Sequence, residues 1–175
     1  MYAFSCAAPD DFGRIRDFYW ALIDVMEGGR FDPGWRKGVY PSDSQLMQSL
    51  DRGEMYTLED ENHAIAATVI INNEYNPGYE GLPWKTDAPP ERVFMLHTLG
   101  VDPARQGRGL ARRVVAESLD VARGKGAACV RLDVLDGNEP AMALYRGMGF
   151  EYIDSRKMFY EDTGWKVFHM FEYGL

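Results

Sequence analysis

The chain has 175 residues, of which 46% are hydrophobic and 13% aromatic, and its formal net charge is −8. That length is typical of one domain, and the acidic balance disfavours binding to nucleic acid or to an anionic membrane surface, because both attract basic residues. Cys6 and Cys129 are the only cysteines, which excludes a disulfide framework and a cysteine-rich metal site. We expect one domain over residues 1–175 that binds no metal.

Two further features bear on the location of the protein. Met1–Asp10 has no basic segment followed by an apolar run, so it does not resemble a secretory signal. No apolar stretch approaches the ~20 residues of a membrane span. We therefore expect a cytoplasmic protein.

The first half of the chain is predicted to contain two helices and three strands. Apolar residues at helical spacing follow the capping candidates Asp10 and Asp11 and end before the glycine pair at 28–29, namely Phe12, Ile15, Phe18, Tyr19, Leu22 and Met26. A second helix is predicted from Ser42, which forms a capping box with Gln45, to about Gly53. Strands are predicted over Tyr2–Cys6, Met55–Glu59 and Ala64–Ile71, the last two joined by a polar turn at residues 60–62.

The second half opens with a loop over Asn72–Glu91, and a loop of that length in a compact domain is usually either functional or disordered. The order strand, helix, strand, helix, strand, strand is then predicted over Val93–Val101, Gly109–Arg123, Val130–Leu135, Glu139–Arg146, Phe150–Phe159 and Lys166–Tyr173. The last two strands flank a polar turn and should form a hairpin. Together the elements predict an α/β (α+β) domain, with a mixed, mostly antiparallel sheet of about seven strands and about four helices.

The segment Leu96–Arg113 combines the end of a strand, two glycines at 107 and 109, and the start of a helix. Glycines at such a point let the backbone approach a ligand closely, and the first N–H groups of a helix bind anions. Residues 102–131 carry seven basic and three acidic side chains in an otherwise acidic protein. This pattern predicts a site for a ligand that bears phosphate.

Two common phosphate-binding motifs do not fit this segment. The Walker sequence G-x-x-x-x-G-K-[ST] is absent. In the dinucleotide fingerprint G-x-G-x-x-G, Arg112 occupies the place of the third glycine, and five residues including Pro103 separate the strand from the first glycine. Only Asp133 favours a dinucleotide, because it follows the glycines at about the distance in sequence expected for a ribose-binding acid.

Two motifs resemble a known family. Gln106-Gly107-Arg108-Gly109-Leu110-Ala111 fits Q/R-x-x-G-x-G/A, the acyl-CoA loop of the GNAT superfamily of N-acetyltransferases. The run from Asn138 to Tyr145, followed by Gly149-Phe150, is similar to that family's second signature, N-x-x-A-x-x-x-Y and then G-F. The two motifs also occur in that family's order and at its usual separation. The resemblance implies a GNAT-type single domain that uses acetyl-CoA.

The resemblance also implies which residues bind acetyl-CoA. Backbone N–H groups of the loop would hold the pyrophosphate, and nearby arginines, Arg112 among them, would add positive charge. The end of the preceding strand would run beside the pantetheine arm and polarise the thioester carbonyl, and Asn138 would bond the pantetheine or cap the following helix. The binding residues expected are Leu99, Gly100, Val101, Arg105, Gln106, Gly107, Arg108, Gly109, Leu110, Ala111 and Asn138.

Tyr145 and His97 are the candidate catalytic residues. The resemblance implies that Tyr145 protonates the leaving thiolate, the alternative being a buried tyrosine that anchors its helix. His97 is the candidate base, because its ordinary pKa lies near neutral pH, the alternative being a structural histidine held by hydrogen bonds. The arylalkylamine branch carries a histidine at a similar place, whereas other branches use a glutamate or a water chain. Strand alternation predicts that His97 shares a face with Met95, Leu99 and Val101.

The predicted activity is direct acetyl transfer to a primary amine, of a small molecule or a peptide, within a ternary complex. In the resembling family the acceptor enters between the first two helices and the terminal hairpin, where this sequence is rich in aromatic residues. Three alternatives stay open: a non-catalytic acyl-CoA-binding or regulatory domain of the same fold, a nucleotide-binding enzyme of another fold, and an enzyme for longer acyl groups or protein N-termini. No nucleic-acid or membrane partner is expected, and a homodimer is common among such proteins.

Overall fold

The computed structural model describes residues 1–175 and contains one seven-stranded sheet with four α-helices. The strands are β1 (Tyr2–Cys6), β2 (Met55–Asp60), β3 (Ile65–Asn72), β4 (Val93–Val101), β5 (Cys129–Leu135), β6 (Glu151–Tyr160) and β7 (Gly164–Gly174). The helices are α1 (Phe12–Met26), α2 (Asp43–Asp51), α3 (Leu110–Gly124) and α4 (Glu139–Gly147). The predicted fold class is confirmed, and every predicted helix and strand is present within a few residues of its expected bounds.

The strands lie in the order β1-β2-β3-β4-β5-β7-β6. All neighbouring strands are antiparallel except β4 and β5, which are parallel. The last two strands form the predicted hairpin. No helix is long and apolar enough to cross a membrane.

Local sequence explains where two of the helices begin. The Ser42 hydroxyl accepts a hydrogen bond from the Gln45 N–H at 3.2 Å, and the Gln45 side chain accepts one from the Ser42 N–H at 2.9 Å. This predicted capping box satisfies two N–H groups that have no partner inside the helix. Helix α3 follows Gly109, whose φ of +75° is readily adopted only by glycine.

Buried side chains form three clusters around the sheet. The largest contains 21 residues and lies between the sheet and α3 and α4. A second cluster packs α1 and α2 against β2 and β3, and a third lies under the loop between β3 and β4. That long loop is held in place by the buried carboxylate of Glu172, which accepts hydrogen bonds from the N–H groups of Lys85 and Thr86 and from the Arg131 guanidinium.

A bulge in β4 separates it from β5. Across the pair with β3, His97 faces Ile70 and Gly100 faces Thr68, so β4 has one residue more than its neighbour over this stretch. Thr98 has a φ of +50°, which is uncommon for a β-branched residue, and the Tyr19 hydroxyl bonds its carbonyl oxygen at 2.8 Å. The parallel pairing with β5 ends at Met95, so the two strands diverge where the bulge begins.

The bulge changes the direction of the side chains that follow it. Met95 packs in the cluster under the long loop, whereas Leu99 and Val101 pack against the cluster beneath α3. The prediction that His97 shares a face with Leu99 and Val101 is therefore wrong, because the extra residue interrupts the two-residue period of the strand.

Candidate active site

Three adjoining cavities lie where β4 and β5 diverge. A groove of about 640 Å³ runs between α3, α4 and the end of α1. A central cavity of about 130 Å³ follows it and shares Trp35, Leu99 and Asn138 with the groove. An outer cavity of about 410 Å³, beside α2 and the β6–β7 hairpin, shares four residues with the central cavity, namely Tyr40, His97, Thr98 and Tyr160. Two separate entrances therefore meet at the central cavity.

The predicted glycine loop lines the groove. Gly107 and Gly109 both have a φ of +75°, and a Cβ atom at either position would meet nothing within 4 Å. Beside them, the first turn of α3 presents N–H groups that have no acceptor inside the helix. The predicted donor-binding residues that the structure brings to this groove are Leu99, Gly100, Val101, Gln106, Gly107, Gly109, Leu110, Ala111 and Asn138.

The arginines are arranged differently from the expectation. Arg105 pairs with Asp60 at 2.7 Å and with Asp102 at 3.0 Å, on the side of the loop that faces β1 and β2. Arg108 lines a separate surface pocket beside it rather than the groove. Only Arg112 reaches the groove, where it also donates a hydrogen bond to the Gly147 carbonyl oxygen. Arg105 therefore lies outside the groove, with its charge already paired by two carboxylates.

His97 lies on the wall between the central and outer cavities. Its Nε2 is 3.0 Å from the Asn72 Oδ1 and 2.9 Å from the Glu74 carbonyl oxygen. Burial lowers the pKa of His97 below its ordinary 6.5, although the negative charge of Asp133 opposes that shift. The imidazole is therefore neutral at pH 7 and able to accept a proton.

Asp133 also lines the central cavity, although its place in the sequence indicated only a ribose-binding acid. The pairing of Met95 with Arg131 puts Asp133 at the level of His97, across the gap between the two strands. Its Oδ2 accepts hydrogen bonds from Tyr79 at 2.7 Å and from Tyr160 at 2.8 Å. Burial raises the pKa of this carboxyl group, and the two hydroxyl donors oppose that shift.

Tyr145, on α4, and Asn138, at its N-terminus, line the central cavity. The Tyr145 ring packs edge-on against Phe150, with the ring centroids 5.4 Å apart. Burial, and then the negative charge of Asp133, raise the pKa of its hydroxyl, with no hydrogen bond to offset them. Asn138 caps α4, since its side-chain oxygen accepts the Ala141 N–H at 3.3 Å, while the residue also lines the groove.

The outer cavity is acidic and partly aromatic. Its carboxylates are Glu54, Glu74 and Glu161, and Arg52, which pairs with Glu74, is its only arginine or lysine. Four aromatic residues line this cavity, namely Tyr40, Tyr75, Phe159 and Tyr160. Phe31 lines the groove, Tyr79 and Trp84 pack under the long loop, and Trp165 is exposed on the hairpin.

Comparison with known proteins shows which family the chain belongs to. The profile of the acetyltransferase (GNAT) family matches residues 17–150. The N-alpha-acetyltransferase RimI of Mycobacterium tuberculosis is 42% identical over 93 residues, which make up 53% of this chain and 56% of that protein. The chain thus spans little more than half the length of this curated relative.

Solved structures share the whole architecture. A GNAT-family acetyltransferase from Listeria monocytogenes superposes with a TM-score of 0.78 at 19% identity, over 99% of this chain and 95% of the other. The Salmonella typhimurium protein yncA, solved with its cofactor acetyl-CoA, has a TM-score of 0.72 at 15% identity, over 100% and 94% of the two chains. At such identities the likeness shows the fold alone. The family profile, however, covers most of the sequence, and the chain belongs to the acetyltransferase (GNAT) family.

Proposed function

We propose that this protein transfers the acetyl group of acetyl-CoA to a primary amine, by direct attack within a ternary complex. One observation carries the proposal: the groove and the outer cavity reach the same central cavity from two sides, and His97, Asp133 and Tyr145 surround it. Direct transfer requires that donor and acceptor enter separately and meet beside groups that can move protons.

The groove fits the donor. Its glycine loop and the first turn of α3 offer backbone N–H groups to a diphosphate. Beyond Met95, the side of β4 that faces β5 has no pairing strand, so Leu99–Val101 offers free backbone groups to the amides of a pantetheine arm. The thioester would then lie in the central cavity beside Asn138 and Tyr145.

The outer cavity fits an acceptor that arrives as an ammonium ion. Its excess of carboxylates attracts a cation, and Asp133 carries further negative charge into the central cavity. The nitrogen must lose a proton before it attacks, and His97 lies between the two cavities as a neutral imidazole that accepts it. The RimI relative is named an N-alpha-acetyltransferase, which supports the α-amino group of a peptide as the first acceptor to test.

The last step concerns the leaving group. When the amine nitrogen bonds to the thioester carbon and the C–S bond breaks, the thiolate needs a proton. Tyr145 is positioned to donate it, and its raised pKa keeps the phenol protonated until that moment. The second proton lost by the nitrogen then restores the phenol through solvent.

The proposal is tested by the release of free CoA from acetyl-CoA in the presence of amines. The panel compares short peptides with free N-termini, the same peptides with blocked N-termini, and small primary amines. We expect release that depends on a free amine and an acetylated product detected by mass spectrometry. Binding of acetyl-CoA without amine-dependent release would contradict the proposal and favour a non-catalytic acyl-CoA-binding domain.

A further inference from the structure

The contacts of the His97 ring settle which nitrogen carries its proton. Nε2 is 2.9 Å from the carbonyl oxygen of Glu74 and 3.0 Å from the Oδ1 of Asn72. A backbone carbonyl oxygen can only accept a hydrogen bond, so Nε2 must donate. In the neutral ring the other nitrogen, Nδ1, then holds the free electron pair.

The orientation of the Asn72 amide is fixed independently. The Glu74 N–H donates to Asn72 Oδ1 at 3.0 Å, and the Asn72 Nδ2 donates to the Glu54 Oε2 at 3.2 Å. Because an N–H group can only donate and a carboxylate can only accept, a flipped amide would lose both bonds. Asn72 is only 7% exposed, so no solvent replaces those partners.

Asn72 therefore acts on His97 in two ways. It accepts a hydrogen bond from Nε2, and it holds the backbone of Glu74, whose carbonyl oxygen is the second acceptor. Asn72 is the last residue of β3 and pairs with Met95, which places it diagonally across from His97 on the neighbouring strand. Glu54, just before β2, completes this group of four residues, hereafter the His97 bracket (Glu54, Asn72, Glu74 and His97).

We propose that Asn72 is a positioning residue that holds His97 with Nε2 protonated, so that Nδ1 is the atom that takes the proton from the acceptor amine. The inference rests on the proposed acetyl transfer for its catalytic part. The proton then passes from Nδ1 to solvent through the outer cavity, and the ring returns to its neutral form with Nε2 still bonded to Asn72 and Glu74. In this cycle Asn72 carries no proton itself.

Several ionisable groups face His97 and contribute to its titration. Glu54 and Glu74 lie in the His97 bracket, with Arg52 paired to Glu74. Asp133 faces the ring from β5, and the tyrosines around the cavities are Tyr40, Tyr145 and Tyr160. None of their ionisable side chains bonds Nε2, whose two acceptors are the side-chain oxygen of Asn72 and the backbone carbonyl oxygen of Glu74. The tautomer is therefore determined within the His97 bracket.

The first test is made on the unmodified protein by NMR of ¹⁵N-labelled histidine side chains above pH 7.5. The signals of His97 are identified by their loss in His97→Gln. We expect Nε2 to carry the proton and Nδ1 to be unprotonated. A proton on Nδ1 would overturn the inference, whatever reaction the protein catalyses.

The second test uses Asn72→Leu, with Asn73→Leu as the matched control. Asn73 is the next residue, and its side chain bonds only backbone carbonyl oxygens, Val93 among them, outside the cavities. Loss of the acceptor at Nε2 disfavours the charged ring. In Asn72→Leu we expect the His97 ring to be a mixture of tautomers with a lower pKa. The acid limb of the pH profile of kcat/KM should move to lower pH by the same amount, and kcat/KM itself should be about 10–100-fold lower.

The control should leave the tautomer, the pKa and the acid limb unchanged. If Asn72→Leu also leaves all three unchanged, Asn72 does not position His97. If the pKa of His97 measured by NMR changes while the acid limb of the pH profile does not, His97 is not the base, and Asn72 has no catalytic role through it. Amine-dependent release of CoA would still support acetyl transfer in that case. Absence of CoA release with every amine would instead contradict the proposed function and leave the tautomer result standing.

Discussion

Gly109→Ala and Gly126→Ala make a matched pair that separates backbone strain from ligand binding. The two glycines flank the same helix, α3, and have φ values of +75° and +80°. At both positions a Cβ atom would meet nothing within 4 Å, so neither substitution produces a clash. They differ in place, because Gly109 lines the groove and Gly126 does not.

The loss of stability should be the same for both variants. An alanine held at positive φ costs about 1–2 kcal/mol, part of which is offset by the lower entropy of the unfolded chain. A net loss of about 1 kcal/mol lowers Tm by about 2–4 °C in a protein of this size. Thermal unfolding without ligand measures this shared effect.

Only Gly109→Ala should weaken acetyl-CoA binding. Its methyl group would occupy the space through which a diphosphate approaches the backbone, and each lost hydrogen bond to a charged group costs about 1.5–3 kcal/mol. We expect Kd to rise about 10–100-fold, against an unchanged Kd for Gly126→Ala, as measured by calorimetric titration. Wild-type affinity in Gly109→Ala, together with the expected fall in Tm, would refute the assignment of this loop to the diphosphate.

Tyr145→Phe should lower kcat about 100-fold or more with the Kd of acetyl-CoA unchanged; a kcat near that of the wild type would exclude Tyr145 as the acid. The acid limb of kcat/KM should lie below pH 6.5, because burial lowers the pKa of His97, and it should vanish in His97→Gln. Asp133→Asn should lower activity yet raise Tm at pH 7, because it removes a carboxylate whose ionised form is disfavoured by burial. The raised pKa of Asp133 means that its contribution to stability is complete below about pH 3.8 and is lost as the pH rises. The Tm values of the wild type and the variant should therefore converge in acid. Glu172→Gln should lower the free energy of unfolding by about 3–5 kcal/mol, because it leaves the buried Arg131 charge, now 2.7 Å from the Glu172 carboxylate, without its partner; a loss below 1 kcal/mol in denaturant unfolding would contradict this.

The helices and strands could be predicted because their signals are local. Ser42 and Gln45 lie within one turn of each other, and the buried face of α3 repeats every three or four residues. The glycine loop could be predicted for the same reason, since its positive φ values are required within a span of three residues. Such features depend on near neighbours in the chain and are visible in the sequence.

The arrangement of the site depends on contacts between distant residues, and here the sequence was insufficient. Arg105 is held by Asp60, 45 residues earlier in the chain, so its distance from the groove could not be inferred. The bulge at Thr98 appears only when β4 is paired with β3. The sequence contains one signal for Asp133, an acidic residue between apolar neighbours in a buried strand. Its position opposite His97, however, follows only from the register of β4 and β5.

Every step proposed for this site requires that the groove between α3, α4 and β4 bind acetyl-CoA. This binding is tested most directly by thermal unfolding with acetyl-CoA and CoA, with NADH and ATP as controls. A ligand at a hundredfold excess over its Kd adds about 2.7 kcal/mol of stability, which corresponds to a rise in Tm of about 5–11 °C for a chain of this length. We expect such a rise with acetyl-CoA and CoA and none with NADH or ATP. No rise with either CoA species would contradict this binding.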